Sequence, residues 1–231
     1  MNVLGMFAKH PVAGLVKTRL AADVGDETAA RLSAAFIADL AERFLDAADR
    51  RVLCYAPGDS AAREYFRDVA ARNYDLWPQP PGPLGARLSR FFDEQFAGGA
   101  GRRVVVIGSD SPTLPRGFLE RAFELLRSHD CVLGPATDGG YYLVGLSGRL
   151  LPIFDGVDWS TADVLAETVA RITACQAGLA LLEPWYDVDS REQLHALRGH
   201  VDALRASGSA VDLPHTEPLL QWDTARKDSV L

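Results

Sequence analysis

Asn2-Val3-Leu4-Gly5-Met6-Phe7, followed at once by Ala8-Lys9-His10-Pro11-Val12-Ala13-Gly14-Leu15-Val16-Lys17-Thr18-Arg19-Leu20, is the stretch that decides the fold. The first six residues read as a short buried strand. The remainder reads as a loop that carries a glycine and three cations. A strand opening directly into such a loop is suited to holding a polyphosphate. Gly14 permits backbone geometries closed to other residues, and the N–H groups of its neighbours can then point at phosphate oxygens. Lys9, Lys17 and Arg19 supply charge-assisted hydrogen bonds, and Arg19 can grip two oxygens at once. The chain holds 24 Lys+Arg but only three lysines, two of them in this loop. The plain alternative is a solvated basic turn, because Walker-type spacing is absent.

Outward from the loop the pattern alternates strand and helix. That alternation predicts an α/β fold, a mainly parallel sheet covered by helices on both faces. Asp26 to Ala48 reads as a long amphipathic helix, with Leu32, Phe36, Leu40 and Phe44 recurring every four residues as its core stripe. Strands are expected at Arg51–Tyr55, Asn73–Trp77, Arg103–Ile107, Cys131–Gly134, Tyr141–Leu146 and Leu179–Leu182, the Tyr141 strand antiparallel or re-entrant. Further helices are expected at Ala61–Ala71, Leu88–Phe96, Phe118–Ser128, Thr161–Ala174 and Arg191–Leu204. The run Pro78-Gln79-Pro80-Pro81-Gly82-Pro83 reads as a stiff exposed loop. Residues 1–205 are thus expected to form one domain, and residues 206–231 an irregular C-terminal tail.

Bulk properties narrow the classes. A net charge of -7 argues against general nucleic-acid binding, which needs a basic face. No apolar run approaches transmembrane length, and neither a leader nor a membrane partner is expected. The three cysteines, Cys54, Cys131 and Cys175, are far apart and odd in number, which suits buried free thiols in a reducing cytoplasm better than disulfides or a metal cluster.

Ligands of open α/β sheets bind beyond the carboxyl ends of strands, and Asp110 stands at such a place. Asp110 follows the strand ending at Ile107, in Gly108-Ser109-Asp110-Ser111-Pro112. It is a candidate metal ligand, with Thr113 available as the cap of the next helix. Asp187 and Asp189 alternate along an extended segment and share a face; one of them can join Asp110 on Mg2+, whose preference is for hard oxygen ligands. Alternatively, Asp189 or Ser190 caps the helix near Arg191. Asp138-Gly139-Gly140 is either a simple hairpin turn or an edge where a ligand approaches the backbone closely.

Taken together, these elements resemble the nucleotide-diphospho-sugar transferase superfamily of GT-A fold. Within it the chain is similar to the bacterial selenodomain-associated or arsenosugar-type family, often called glycosyltransferases. The resemblance runs from about Met1 to Leu197. It is carried by Phe7-Ala8-Lys9 with Lys17-Thr18-Arg19-Leu20, by Leu84-Gly85-Ala86-Arg87-Leu88, and by Gly108-Ser109-Asp110-Ser111-Pro112. It continues in Asp138-Gly139-Gly140-Tyr141-Tyr142, Trp159-Ser160-Thr161 and Asp187-Val188-Asp189-Ser190. The first loop also resembles that of 2-phospholactate guanylyltransferases, though Lys9-His10-Pro11 stands where many sugar nucleotidyltransferases carry a Gly-rich run. The resemblance implies Lys17 and Arg19 on phosphates, and Asp110 and Asp189 on Mg2+ (or Mn2+).

The expected function follows from these residues. A nucleoside triphosphate or a nucleotide sugar is one partner and a small-molecule acceptor the other. Nucleotidyl transfer with release of pyrophosphate is favoured by the three loop cations. Glycosyl transfer from a nucleotide sugar is the alternative, and a non-catalytic nucleotide-binding protein a remote one. Lys9, Gly14, Lys17, Arg19, Gly85 and Arg87 are expected on the nucleotide side. Asp138, Gly139, Gly140, Tyr141, Tyr142 and Trp159 are expected on the acceptor side, with at most one of the two tyrosines facing a ligand. Lys17, Arg19, Asp110 and Asp138 are the expected catalytic set.

Overall fold

The apolar runs of the sequence become neighbours in one sheet. In the computed structural model, which describes residues 1–70 and 73–221, the strands are β1 (Asn2–Lys9), β2 (Arg50–Ala56), β3 (Asp75–Pro78), β4 (Arg103–Ile107), β5 (Cys131–Pro135), β6 (Tyr141–Ser147) and β7 (Leu179–Leu181). They lie in the order β3-β2-β1-β4-β6-β5-β7. β6 is antiparallel to both neighbours, as expected for the Tyr141 strand, and the other pairings are parallel. The apolar run of β4 sits mid-sheet with four of its residues buried, as a strand covered on both faces requires.

The described chain divides into two compact units. All seven strands belong to the first, formed by Met1–His10, Phe44–Gly108 and Leu114–Asp187. On one face of its sheet Val3, Val52, Cys54, Val104 and Val106 pack with Leu88, Phe91 and Phe92 of α4 (Leu84–Ala97) and Ile172 of α6 (Val164–Ala174). Gly5 lies in that same row. A Cβ there would sit 2.6 Å from Phe91, so the absence of a side chain is what lets α4 press on β1. On the opposite face Tyr55 meets Phe66 of α3 (Ser60–Ala70) at 5.7 Å. Leu126, just past α5 (Arg116–Leu125), closes over Gly145 and Val105. Helices therefore cover both faces, as the alternating pattern predicts.

The second unit comprises Pro11–Arg43, Ser109–Thr113 and the described residues from Val188 on. It holds α1 (Thr18–Val24), α2 (Asp26–Arg43), α7 (Arg191–Ala206) and a short 3-10 helix at Glu217–Gln221. Leu32, Phe36 and Leu40 of α2 are fully buried, as their four-residue spacing demands. Asp39, on the same helix, is also buried. Its carboxylate accepts the backbone N–H groups of His215 (2.8 Å) and Thr216 (3.0 Å). Arg43 donates from Nε to the Asp212 carboxylate at 3.1 Å, and from the rest of its guanidinium to the carbonyls of Asp212 and Pro112. Residues 207–216 lack regular structure, yet Leu213, Thr216 and Leu220 are buried. Residues 222–231 of the expected tail lie outside the described residues.

Several boundaries differ from expectation, each for a local reason. β1 continues through Lys9 because its parallel register with β2 runs to Ala56. α1 starts at Thr18 inside the expected loop. α2 stops at Arg43 rather than Ala48, where Asp46 and Asp49 favour turns over helix. α4 starts four residues early, at Leu84, since Pro83 presets the extended geometry that precedes a helix. Pro78 is tolerated in β3 because β3 is an edge strand. α6 begins at Val164, after turns, and α5 ends at Leu125. The expected helix at Ala61–Ala71 is observed to Ala70; residue 71 lies outside the described residues. No described helix is long and apolar enough to cross a membrane.

Cys54, Cys131 and Cys175 are all free thiols, Cys175 only half-buried. Burial, reinforced by the neighbouring Asp130 charge, pushes the Cys131 thiol up to about 12. Alkylation at pH 8 should therefore modify Cys175 first and leave Cys54 and Cys131 intact, read by mass spectrometry. Asp39→Ala should cost about 2 kcal/mol in urea unfolding, the penalty for leaving two buried N–H donors unpaired. A loss within experimental error would mean that Asp39 does not fasten the segment after α7.

Candidate functional site

The loop after β1 is shaped around Lys17. Leu15 N–H closes a turn on the Val12 carbonyl at 3.0 Å, and Gly14 takes a positive φ of 77°. A Cβ at Gly14 would meet nothing closer than Asp26 Oδ2 at 3.5 Å, so glycine serves the backbone conformation rather than space. Lys17 itself is left-handed, at φ 45° and ψ 46°. For a residue with a Cβ this costs about 1 kcal/mol and persists only where contacts enforce it.

Those contacts enclose the ammonium. Nζ donates to Asp110 Oδ1 at 2.5 Å, to the Val188 carbonyl at 2.7 Å and to Asp189 Oδ1 at 3.2 Å. The Phe36 ring lies beneath it, its centroid 5.0 Å away, adding a cation–π contact. Three donors thus meet three oxygens, and the side chain is 3% exposed. Burial alone pulls the Lys17 pKa down, but the charges of Asp110 and Asp189 and their hydrogen bonds outweigh it and hold it above its ordinary value. Asp110 is 44% exposed and Asp189 28%, so both carboxylates keep a wet side. Arg19 reaches Asp189 Oδ2 at 3.3 Å from a side chain that is 72% exposed, a weak pair on its own.

The backbone locks the two carboxylates together. Val188 N–H donates to the Asp110 carbonyl at 2.8 Å. Ser190, not Asp189, caps α7: its hydroxyl accepts the Gln193 N–H while the Gln193 side chain accepts the Ser190 and Asp189 N–H groups. Asp189 is left to the cations. Thr113 does not cap α5; Pro115 holds that position without a side-chain bond. Asp187 is half-buried and takes no part in the Lys17 set.

The remaining predicted residues belong to the first unit. Lys9 is exposed at the last position of β1. Gly85 serves packing: a Cβ there would sit 2.4 Å from the Phe154 carbonyl and 2.8 Å from Trp159 Nε1. Arg87 holds its own loop, donating to the Gly82 carbonyl at 2.8 Å and to Gln79 at 3.3 Å. Asp138 is exposed in the β5–β6 turn, where Oδ1 accepts the Gly140 N–H at 3.0 Å. Gly139, at φ 94°, lets the chain at Ala162 come close, since a Cβ would be 2.2 Å from the Ala162 carbonyl. That close approach is intramolecular.

The two tyrosines of the acceptor-side set pack within the first unit. Tyr142 is 4% exposed, and its hydroxyl donates to the Glu183 carbonyl at 2.9 Å with its ring over Gly134. Tyr141 packs with the core cluster of the other face, edge-on to the half-buried Trp159 at 6.2 Å. Its hydroxyl is enclosed beside that of the buried Thr168. Alternation sends the two rings to opposite faces, and both faces are covered. The sequence gives no sign of the Val188 carbonyl, which carries no side-chain signal, or of Phe36, whose spacing marks it only as core.

Residues 40–161 match a family of uncharacterized proteins conserved in bacteria, DUF2064. A solved structure described as a candidate nucleotide-diphospho-sugar transferase, from Desulfovibrio desulfuricans G20, superposes with a TM-score of 0.83 at 31% identity, over 95% of this chain and 96% of that one. The chain belongs to the DUF2064 family. It is a transferase of GT-A-like fold, as the sequence resemblance implies. More distant structures share the fold alone. The CMP:2-keto-3-deoxy-manno-octonic acid synthetase complexed with CTP has a TM-score of 0.53 at 14% identity, covering 90% of this chain and 99% of its own. The inositol-1-phosphate CTP transferase from T. maritima has 0.54 at 14%, covering 91% and 98%. None of the curated proteins matches the chain.

Lys17→Met should destabilise the fold by about 2 kcal/mol, less than a fully buried pair because both carboxylates are partly solvated. With its folded pKa above the ordinary 10.5, Lys17 contributes its full share below that pH and loses it only as pH rises through the higher folded value. The stability gap between wild type and Lys17→Met should thus be flat from neutrality to pH 10, measured by denaturant unfolding. A gap that closes between pH 7 and 9 would mean the ammonium is not held by its aspartates.

Proposed function

We propose that this nucleotide-using transferase is a Mg2+- or Mn2+-dependent nucleotidyltransferase. It joins a nucleoside triphosphate to a small acceptor bearing a phosphate or related oxyanion and releases pyrophosphate. The observation that carries the reading is the convergence of Asp110 and Asp189 on one cationic point, Lys17 Nζ, with Arg19 beside them. Such transfer is mostly positioning and charge neutralisation and needs no covalent nucleophile.

Asp110 and Asp189 fit a divalent cation. Both offer hard carboxylate oxygens, both already bond the same cation, and both keep a solvent-facing side for waters and phosphates. When bound, the metal would supply neutralisation of the phosphate and pyrophosphate charge. Arg19, exposed and forked, would bind phosphate oxygens, and Lys17 would add a second cation. Asp138, exposed with one oxygen given to its own turn, remains the acceptor-side candidate. A reducing cytoplasm, where the three free thiols stay reduced, suits this assignment. Glycosyl transfer is the second reading, favoured by the description of the 31%-identical relative as a candidate nucleotide-diphospho-sugar transferase.

The test is incubation with each nucleoside triphosphate, Mg2+ and a panel of phosphate and phosphonate acceptors. Pyrophosphate release is expected, and Asp110→Asn and Asp189→Asn should each lower turnover by about a hundredfold or more while retaining the fold. Release of nucleoside diphosphate from a nucleotide sugar, with no pyrophosphate from any triphosphate, would replace this reading with glycosyl transfer.

A further inference from the structure

Lys17 is already the counter-ion of the carboxylate pair. Its ammonium sits where Asp110 and Asp189 converge, with each of its hydrogens committed and the Phe36 ring closing the remaining side. A divalent cation directed to those carboxylates meets a resident positive charge at hydrogen-bond distance from both. Like charges so placed disfavour one another, and the two carboxylates cannot fully neutralise both cations.

The ammonium can leave only toward other anionic oxygens, since its present site provides three oxygens and an aromatic face. A polyphosphate provides such oxygens.

We infer that Lys17 and the divalent cation compete for Asp110 and Asp189. A polyphosphate ends the competition by drawing the ammonium onto its own oxygens, so metal and polyphosphate bind well only together. The inference rests on the proposed role of Asp110 and Asp189 as metal ligands. It goes further by making Lys17 the gate that couples the two ligands. Coupling of this kind is reciprocal: the metal must tighten polyphosphate binding by the factor by which polyphosphate tightens the metal.

The experiment measures Mn2+ binding to the full chain by electron paramagnetic resonance, for wild type and Lys17→Met, without and with inorganic pyrophosphate. Wild type should bind Mn2+ alone poorly, and Lys17→Met should bind it at least about tenfold more tightly, within the usual range of coupling factors. Equal Mn2+ affinity in the two proteins overturns the inference. Should the variant fail to fold, the wild type still decides. Acetylation of Lys17 can be followed by mass spectrometry as the acetylated fraction of its own peptide. Lys17 should react slowly in the free protein, faster at saturating Mn2+, and slowly again once pyrophosphate is added. A Lys17 rate that ignores saturating Mn2+ overturns the inference too. Competition demonstrated without pyrophosphate release from any triphosphate would remove the nucleotidyl reading while upholding the gate. Pyrophosphate release without competition would do the reverse.

Discussion

One buried ammonium organises the candidate site. Lys17 places a full positive charge among groups that are mostly shielded from water, an arrangement that is tolerable only because two carboxylates and a carbonyl receive it. The same arrangement fixes the carboxylates. Without the ammonium, Asp110 and Asp189 would repel each other, although the Val188–Asp110 backbone bond ties their segments together. The lysine, its left-handed backbone and the two aspartates therefore form one unit of structure. Changing any member alters the charge balance of the others.

A second constraint runs through the sheet unit, where small residues are set by large neighbours. Gly5 yields to Phe91, Gly134 to the Tyr142 ring, Gly85 to the Phe154 carbonyl and Gly139 to Ala162. In each case the space beside the glycine is filled by the protein itself. A motif glycine can look ligand-facing in sequence and still be a packing device. Gly85 and Gly139 stand in motif positions and have a structural reason to be glycine.

The fold was legible in the sequence because strand and helix patterns differ in period and because β4 is apolar from Val104 to Ile107. The span Arg103–Ile107 was readable for that reason, and of the two readings of the Tyr141 strand, antiparallel or re-entrant, the sheet shows the first. The start of α1 was not, since it depends on the left-handed backbone of Lys17, and no residue type announces a lysine in that conformation. For the site, sequence indicated the residues but not their pairing: Lys17 and Asp110 are 93 residues apart, and their meeting depends on tertiary structure. Tyr141 and Tyr142 carry polar tips, which in sequence suit either a ligand or the core. Burial of their rings decides their place, and one tip ends on a backbone carbonyl.

Arg43 joins two segments that the sequence keeps far apart. One guanidinium holds the Asp212 carboxylate and carbonyl and also the Pro112 carbonyl, two residues beyond Asp110. The stretch after α7 consequently shares an anchor with the strand-end loop that bears a candidate ligand. A substitution at Asp212 would take the carboxylate out of that anchor while leaving the two carbonyls, so the hold on Pro112, two residues from Asp110, would then rest on backbone bonds without the ion pair.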